Sequence, residues 1–245
     1  MGERAERRPI LVLQHAGCEP PGAYEDELIA QGLPFQRILL DEGGELPDWR
    51  AYGAIVAMGG AMGAGDDELY PWLGPERRLI AEAVRAGVPY WGVCLGAQLL
   101  AASLGARVAR ATRHELGVLT VQLTDAAAED PVFVGLPQRF ETLQWHRDTY
   151  ELPVGARQLA RSADCEQQAF VLGRAYGLQF HLEVDAKLMT TWFDVPAYVA
   201  ELEALAGRGA PAAVLADVER VERSSLELAR ELFARWLERV VGACP

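Results

Sequence analysis

One cysteine in this chain has the surroundings of a nucleophile. Cys94 stands in Tyr90-Trp91-Gly92-Val93-Cys94-Leu95-Gly96-Ala97-Gln98, between two glycines, after an apolar run and before a helix-like one. This is the pattern of a sharp strand-to-helix turn with the reactive atom at its tip. Gly92 and Gly96 remove side chains where the two backbones crowd together. A sulfur at a helix N-terminus, beside free N–H groups, is biased toward thiolate.

Such a nucleophile needs a base. The histidines are His15, His114, His146 and His181, and the last ends an apolar run in Gly177-Leu178-Gln179-Phe180-His181-Leu182-Glu183. Residues two apart in an extended chain share a side, so Glu183 can lie beside His181. There it would fix the imidazole's tautomer and stabilise the imidazolium formed when the ring takes the thiol proton. A surface pair at a strand end is the plainer reading of His181 and Glu183, and the elbow in the same chain tips the balance toward catalysis. The third feature is Met58-Gly59-Gly60-Ala61-Met62-Gly63-Ala64-Gly65, at the end of another apolar run. Glycines there can present backbone N–H groups to the oxyanion of a tetrahedral intermediate. The glycine order differs from a dinucleotide-binding loop, and no Gly-Lys-Ser/Thr follows as a Walker loop requires. Simple turn-forming glycines are the alternative. His15 and His114 read as structural or surface residues. Cys18, Cys165 and Cys244 have no elbow and no neighbouring base, so we expect them to be inert. Asp66-Asp67-Glu68 lacks the ligand spacing of a metal site and reads as a solvated loop and helix start.

These residues need a scaffold. Ile10–Gln14, Phe35–Leu40, Ala54–Met58 and Val88–Val93 are short apolar runs of the kind buried parallel strands require. Helical patterns fall between and after them, over Tyr24–Gln31, from Pro75 through Ala86, and over Leu95–Leu104. The alternation predicts an α/β fold with a mostly parallel central sheet and helices on both faces. After Gly105 shorter strand candidates follow at Leu116–Leu123, Phe140–Gln144, Gln158–Ser162, Ala169–Leu172 and Ala175–Phe180. From Thr190 onward the chain reads as a helical C-terminal segment, with Val214, Val218, Val221, Ser225, Leu228, Leu232 and Trp236 on one packing face. We expect an N-terminal tail over 1–9 and a single domain over 10–241.

Composition narrows the function classes. A formal charge of −12 with no basic stripe argues against nucleic acid. Arg4, Arg7 and Arg8 cluster but are diluted by Glu3 and Glu6, which reads as a solvated tail. No apolar run reaches membrane-spanning length or forms a signal peptide. Four cysteines without a C-x-x-C pair suit a reduced, cytoplasmic protein.

At its motifs the chain resembles the class I (triad-type) glutamine amidotransferases. Gly92-Val93-Cys94-Leu95-Gly96-Ala97-Gln98 is similar to their nucleophile signature. Gln179-Phe180-His181-Leu182-Glu183 is similar to their Q-F-H-P-E, with Leu182 where proline is usual, and Gly59-Gly60-Ala61 stands at their G-G-P oxyanion strand. Asp67–Leu73, Leu143–Asp148 and Ala163–Phe170 look like the stand-alone, GMP-synthase-like branch of the family. The resemblance runs from about Ile10 to Trp236.

It implies a flavodoxin-like fold and a glutaminase half-reaction, with Cys94, His181 and Glu183 catalytic and the N–H groups of Gly60 and Leu95 holding the oxyanion. By the family pattern Gln98 and the main chain around Trp145, His146, Arg147 and Asp148 would grip the amino-acid end of glutamine. In relatives the histidine matching His146 lies in an H-G-D stretch, where Arg147 here replaces glycine, and Asp148 is a candidate partner for it. No cofactor and no metal are implied. The expected substrate is glutamine or another γ-glutamyl compound. With only a helical segment after Glu183 and no phosphate loop, a separate synthetase or acceptor protein is expected to take the ammonia. A γ-glutamyl peptidase or hydrolase would use the same thioester, and a catalytically silent regulatory module on this fold is a third reading.

Overall fold

The computed structural model describes residues 8–242. Residues 1–7 of the expected N-terminal tail, with Arg4 and Arg7, lie outside the described residues, as does Cys244. In chain order the elements are β1 (Ile10–Gln14), α1 (Ala23–Ala30), β2 (Phe35–Leu39), β3 (Ala54–Ala57), α2 (Leu73–Arg85), β4 (Tyr90–Val93), α3 (Leu95–Ser103) and β5 (Val108–Leu123). Then come α4 (Asp125–Ala128), β6 (Arg139–Tyr150), β7 (Arg157–Arg161), β8 (Ala169–Leu172), β9 (Ala175–Leu178), α5 (Ala186–Phe193), α6 (Pro196–Ala206) and α7 (Ala210–Trp236).

All nine strands form one sheet in the order β2-β1-β3-β4-β9-β8-β7-β5-β6. The first five are parallel neighbours and the remaining pairs are antiparallel. The parallel half follows from its composition. Strands buried on both faces alternate their side chains between two cores. Ile10, Val12, Val56, Trp91 and Val93 pack with Tyr24, Phe233 and Trp236 on the face covered by α1 and α7. Leu11, Leu13, Ile55, Ala57 and Tyr90 pack with Ile80 and Leu99 on the face covered by α2 and α3. The antiparallel half differs from expectation in length. The strands expected over Leu116–Leu123 and Phe140–Gln144 extend to Val108–Leu123 and Arg139–Tyr150. They zip into one long ribbon with an irregularity between Arg110 and Glu115. Polar stretches such as Arg110–Glu115 carry no hydrophobic alternation, which is why the sequence hides this extension.

A third apolar cluster joins α5, α6 and the first half of α7 to β5 and β6, through Leu143, Met189, Trp192, Tyr198, Leu202 and Val218. Loops at the carboxyl ends of β1, β3 and β4 meet where the order turns from β1 toward β2 on one side and β3 on the other. Open α/β sheets place their ligand sites at this position.

Candidate active site

Cys94 is the N-cap of α3, with φ 50°, and it alone among the described non-glycine residues has positive φ. The strain has a cause. Its N–H donates to Leu178 O at 2.7 Å, and the next turn donates from Gly96 N to Met58 O at 3.1 Å, so β9 and the end of β3 hold the elbow from two sides. No side chain fits at either flanking glycine. A Cβ on Gly96 would lie 2.1 Å from Ala57 O, and one on Gly92 would lie 2.6 Å from the Gly96 backbone. Backbone strain of this kind persists only where surrounding contacts over-determine it.

The expected base arrives by a different route from the one its sequence suggests. β9 stops at Leu178, two residues short of the expected strand end at Phe180. His181 then makes a single bridge to β6, donating its N–H to Leu143 O at 2.9 Å while its carbonyl accepts from the Thr142 hydroxyl. Its Nδ1 meets Glu183 Oε1 at 2.7 Å, and both side chains are buried. Burial alone would lower the His181 pKa. The Glu183 carboxylate and the neighbouring Cys94 sulfur more than offset it and hold the imidazole well above its ordinary value. With Nδ1–H committed to Glu183, the other ring nitrogen is the one that serves the thiol.

The thiol is surrounded by main chain and amides. Cys94 Sγ donates to Trp145 O at 3.7 Å, and Gln179 Nε2 donates to Sγ at 3.6 Å. Gln98 Nε2 in turn donates to Gln179 Oε1 at 3.1 Å and to Asp148 O at 3.3 Å. The N–H groups of Gly60 and Leu95 have no hydrogen-bond partner among the described residues, and a Cβ on Gly60 would lie 3.0 Å from the Leu95 side chain. One pocket is lined by Cys94, His181 and Gly60 together with Gln98, Trp145, His146, Arg147 and Asp148. The structure thus brings the separated sequence candidates together, with Glu183 and Leu95 behind them.

His146 does pair with Asp148, through the Asp148 carbonyl at 3.0 Å rather than the carboxylate, and its Nε2 meets Glu115 Oε2 at 3.0 Å. Arg147 reaches across the pocket mouth to Ala61 O at 3.3 Å and to the Glu201 carboxylate at 3.1 Å. Leu182, where relatives carry proline, is fully buried in the core under α7. The expectation that Cys165 lacks a neighbouring base is corrected. Ligand atoms of Cys165, His146 and Glu115 lie within 4.8 Å of one another, and among the described residues this is the group that could hold a metal ion. Glu115 already accepts from Ser162 and Gln168 as well as facing His146, and burial raises the Cys165 thiol pKa. Asp66 accepts from Gly63 N, and Asp67 forms a two-pronged pair with Arg77, so the acidic run works as a loop brace.

Glu19, Met62, Trp192, Tyr198 and Glu201 also line the pocket and were not anticipated from the sequence. Glu19 is buried and accepts from Tyr198 Oη at 2.6 Å. Burial raises its pKa, while the charge of His181 and the Tyr198 bond pull the other way. Its one sequence signal was position, in the loop after the first strand. Tyr198 and Glu201 lie on α6, whose approach no local pattern announces.

A buried Cys-His-Glu constellation on a strand-turn-helix elbow, at the carboxyl ends of a flavodoxin-like sheet, defines the class of protein. The family model for class I glutamine amidotransferases matches residues 48–193. The chain belongs to the class I glutamine amidotransferase family. It is 38% identical over 138 residues to a glutamine-hydrolysing GMP synthase of Thermomicrobium roseum, covering 56% of this chain and 25% of that protein. It is 35% identical over 109 residues to the putative glutamine amidotransferase-like protein YfeJ of Salmonella typhimurium, covering 44% of this chain and 46% of that one. The chain therefore spans about a quarter to a half of these curated relatives. Among solved structures, a glutamine amidotransferase from Thermotoga maritima superposes with a TM-score of 0.85 at 36% identity, covering 94% of this chain and 98% of that one. One from Methylobacillus flagellatus gives 0.84 at 30% identity, with 96% of each chain covered.

Proposed function

We propose that this protein hydrolyses the side-chain amide of glutamine through a thioester on Cys94 and passes the ammonia to a separate acceptor protein. The observation that carries this reading is the buried Cys94-His181-Glu183 set, with Cys94 and His181 on one pocket beside Gly60 and with the N–H groups of Gly60 and Leu95 unpartnered among the described residues. In the first half-reaction the Cys94 thiolate adds to the γ-carbonyl carbon. The oxygen takes up the negative charge against Gly60 N–H and Leu95 N–H. His181 gives its proton to the departing nitrogen, the C–N bond breaks, and ammonia leaves a γ-glutamyl thioester. His181, now neutral, takes a proton from water as the water oxygen attacks the thioester. The C–S bond then breaks to give glutamate and the thiolate, and Glu183 orients the ring throughout. In this reading Gln98 and the main chain around Trp145 and Asp148, which line the same pocket as Cys94, grip the amino-acid end of glutamine.

A second reading has an observation of its own. Tyr198 and Glu201 of α6 also line the pocket, side chains that ammonia as a leaving group does not require and that the amine half of a γ-glutamyl amide would meet. Ammonia or amine release from glutamine and from γ-glutamyl dipeptides, measured with the wild type and Cys94→Ala, separates the two. We expect glutamine turnover that Cys94→Ala abolishes. Turnover of dipeptides alone would favour the hydrolase, and full activity in Cys94→Ala would overturn the thiol mechanism.

A further inference from the structure

A second histidine–carboxylate pair lies behind the site. His15 Nε2 meets Glu76 Oε1 at 2.9 Å, and His15 Nδ1 meets Gly59 O at 3.2 Å, with both side chains wholly inaccessible to solvent. The hydrogen-bond logic is restrictive. Gly59 O can only accept, so Nδ1 must carry a proton and donate it. Nε2 faces a carboxylate oxygen, so one more proton lies between ring and carboxylate, and the pair is an imidazolium against a carboxylate or its neutral equivalent. Burial would lower the His15 pKa, and Glu76 together with the Gly59 carbonyl offsets it and raises the pKa above its ordinary value. The remaining oxygen of Glu76 has no partner among the described residues, so His15 is its one polar contact.

What this pair grips is the peptide linking Gly59 to Gly60. Between two glycines a peptide plane turns over at little cost, because no Cβ opposes the change in the flanking dihedrals. In a trans peptide the C=O and N–H point in opposite directions. Holding Gly59 O against His15 therefore aims Gly60 N–H away from His15, on the side where Gly60 borders the pocket with Cys94. A Cβ on Gly60 would lie 2.9 Å from His15 Cβ, so the imidazole's own backbone end closes off the space behind the peptide. Glu76 is supplied by the first turn of α2, where a carboxylate is favoured by the helix dipole.

We propose that His15 and Glu76 are positioning residues for the oxyanion site: they lock the Gly59–Gly60 peptide in its donor orientation and polarise it through the imidazole Nδ1–H. The inference rests on the reading of Gly60 N–H as an oxyanion donor. Three groups act in series, the α2 carboxylate holding the ring and its Nδ1–H tautomer, the ring setting the carbonyl, and the carbonyl setting the N–H.

The test separates oxyanion stabilisation from general damage. Glu76→Gln and His15→Ala are assayed for hydrolysis of glutamine and of γ-glutamyl-p-nitroanilide, giving kcat and KM. Alkylation of Cys94 by iodoacetamide is followed on the same preparations, because displacement at a methylene carbon forms no oxyanion. We expect kcat to fall about tenfold in Glu76→Gln and about a hundredfold in His15→Ala, the scale of losing one oxyanion donor. KM and the alkylation rate should stay near wild type. If His15→Ala fails to fold, the near-isosteric Glu76→Gln alone decides. Alkylation falling in parallel with kcat would overturn the inference in favour of a merely structural pair, as would kcat unchanged in Glu76→Gln with an active wild type. A wild type that hydrolyses neither compound would overturn the γ-glutamyl reading itself, and this inference with it.

Discussion

Two buried imidazoles are each paired with their own carboxylate, His181 with Glu183 and His15 with Glu76, and the role proposed for each can be tested by removing charge without volume. Glu183→Gln keeps the shape of the Glu183 side chain and removes the larger of the influences that, with the Cys94 sulfur, together outweigh burial at His181. The His181 pKa must then fall, so the protonated ring needed to release ammonia is lost at lower pH than in the wild type. We expect kcat to drop by roughly 10²–10⁴ and the alkaline limb of kcat/KM to move to lower pH, checked by a pH–rate profile of glutamine hydrolysis. An unmoved alkaline limb would mean that Glu183 does not set the charge of His181. At this scale the sequence was informative about the contact of His181 with Glu183, because residues two apart can share a side, and the structure shows that contact at 2.7 Å. It was silent on Glu19 and Glu76, whose partners lie far along the chain in Tyr198 and His15.

The strand-turn-helix element is a set of close backbone approaches, and glycine is the residue that permits them. Gly96→Ala would force its methyl against Ala57 O, which stands 2.1 Å from the ideal Cβ position. Helix and strand must then separate, at a cost of ~1–3 kcal/mol or more. The Cys94 elbow would lose its seat. Urea denaturation should show a lower midpoint, and iodoacetamide labelling of Cys94 should slow. Gly22 plays a comparable part at φ 53°, where a Cβ would lie 2.3 Å from Glu183 O and Ala23 N–H donates to that same carbonyl at 3.2 Å. Gly22→Ala should therefore disturb the Glu183 backbone and reduce kcat more than KM, measured with glutamine. The elbow was legible because its pattern is local. The role of Gly22 was not, since the backbone it accommodates is remote in sequence.

Across the whole molecule, α7 runs from the third apolar cluster to the core under β4, so the helical C-terminal segment is part of the core that carries the elbow. Phe233 and Trp236 are fully buried and stack on each other at 5.3 Å, with Trp91 of β4 at 5.6 Å from each. Phe233→Ala should cost about 3–5 kcal/mol, read as a lower urea midpoint. Global stability should also depend on pH. The folded pKa values of His15 and His181 lie above the ordinary 6.5. Between that value and their folded values the native state holds protons that the unfolded chain has lost. Their contribution is complete below about pH 6.5 and declines as pH rises through the folded values. Urea midpoints across this range should fall with pH, and Glu183→Gln should flatten the fall. The sequence by itself determined the parallel core, the elbow around Cys94 and the His181–Glu183 spacing, because periodicity and short-range sterics act between neighbours in the chain. Only the tertiary structure decided that β5 and β6 form one long ribbon, that α6 closes the pocket with Tyr198 and Glu201, and that His15 pairs with Glu76 behind Gly59. Those contacts join residues with no local pattern in common, and they exist only once sheet order and helix packing have fixed which distant side chains share a buried space.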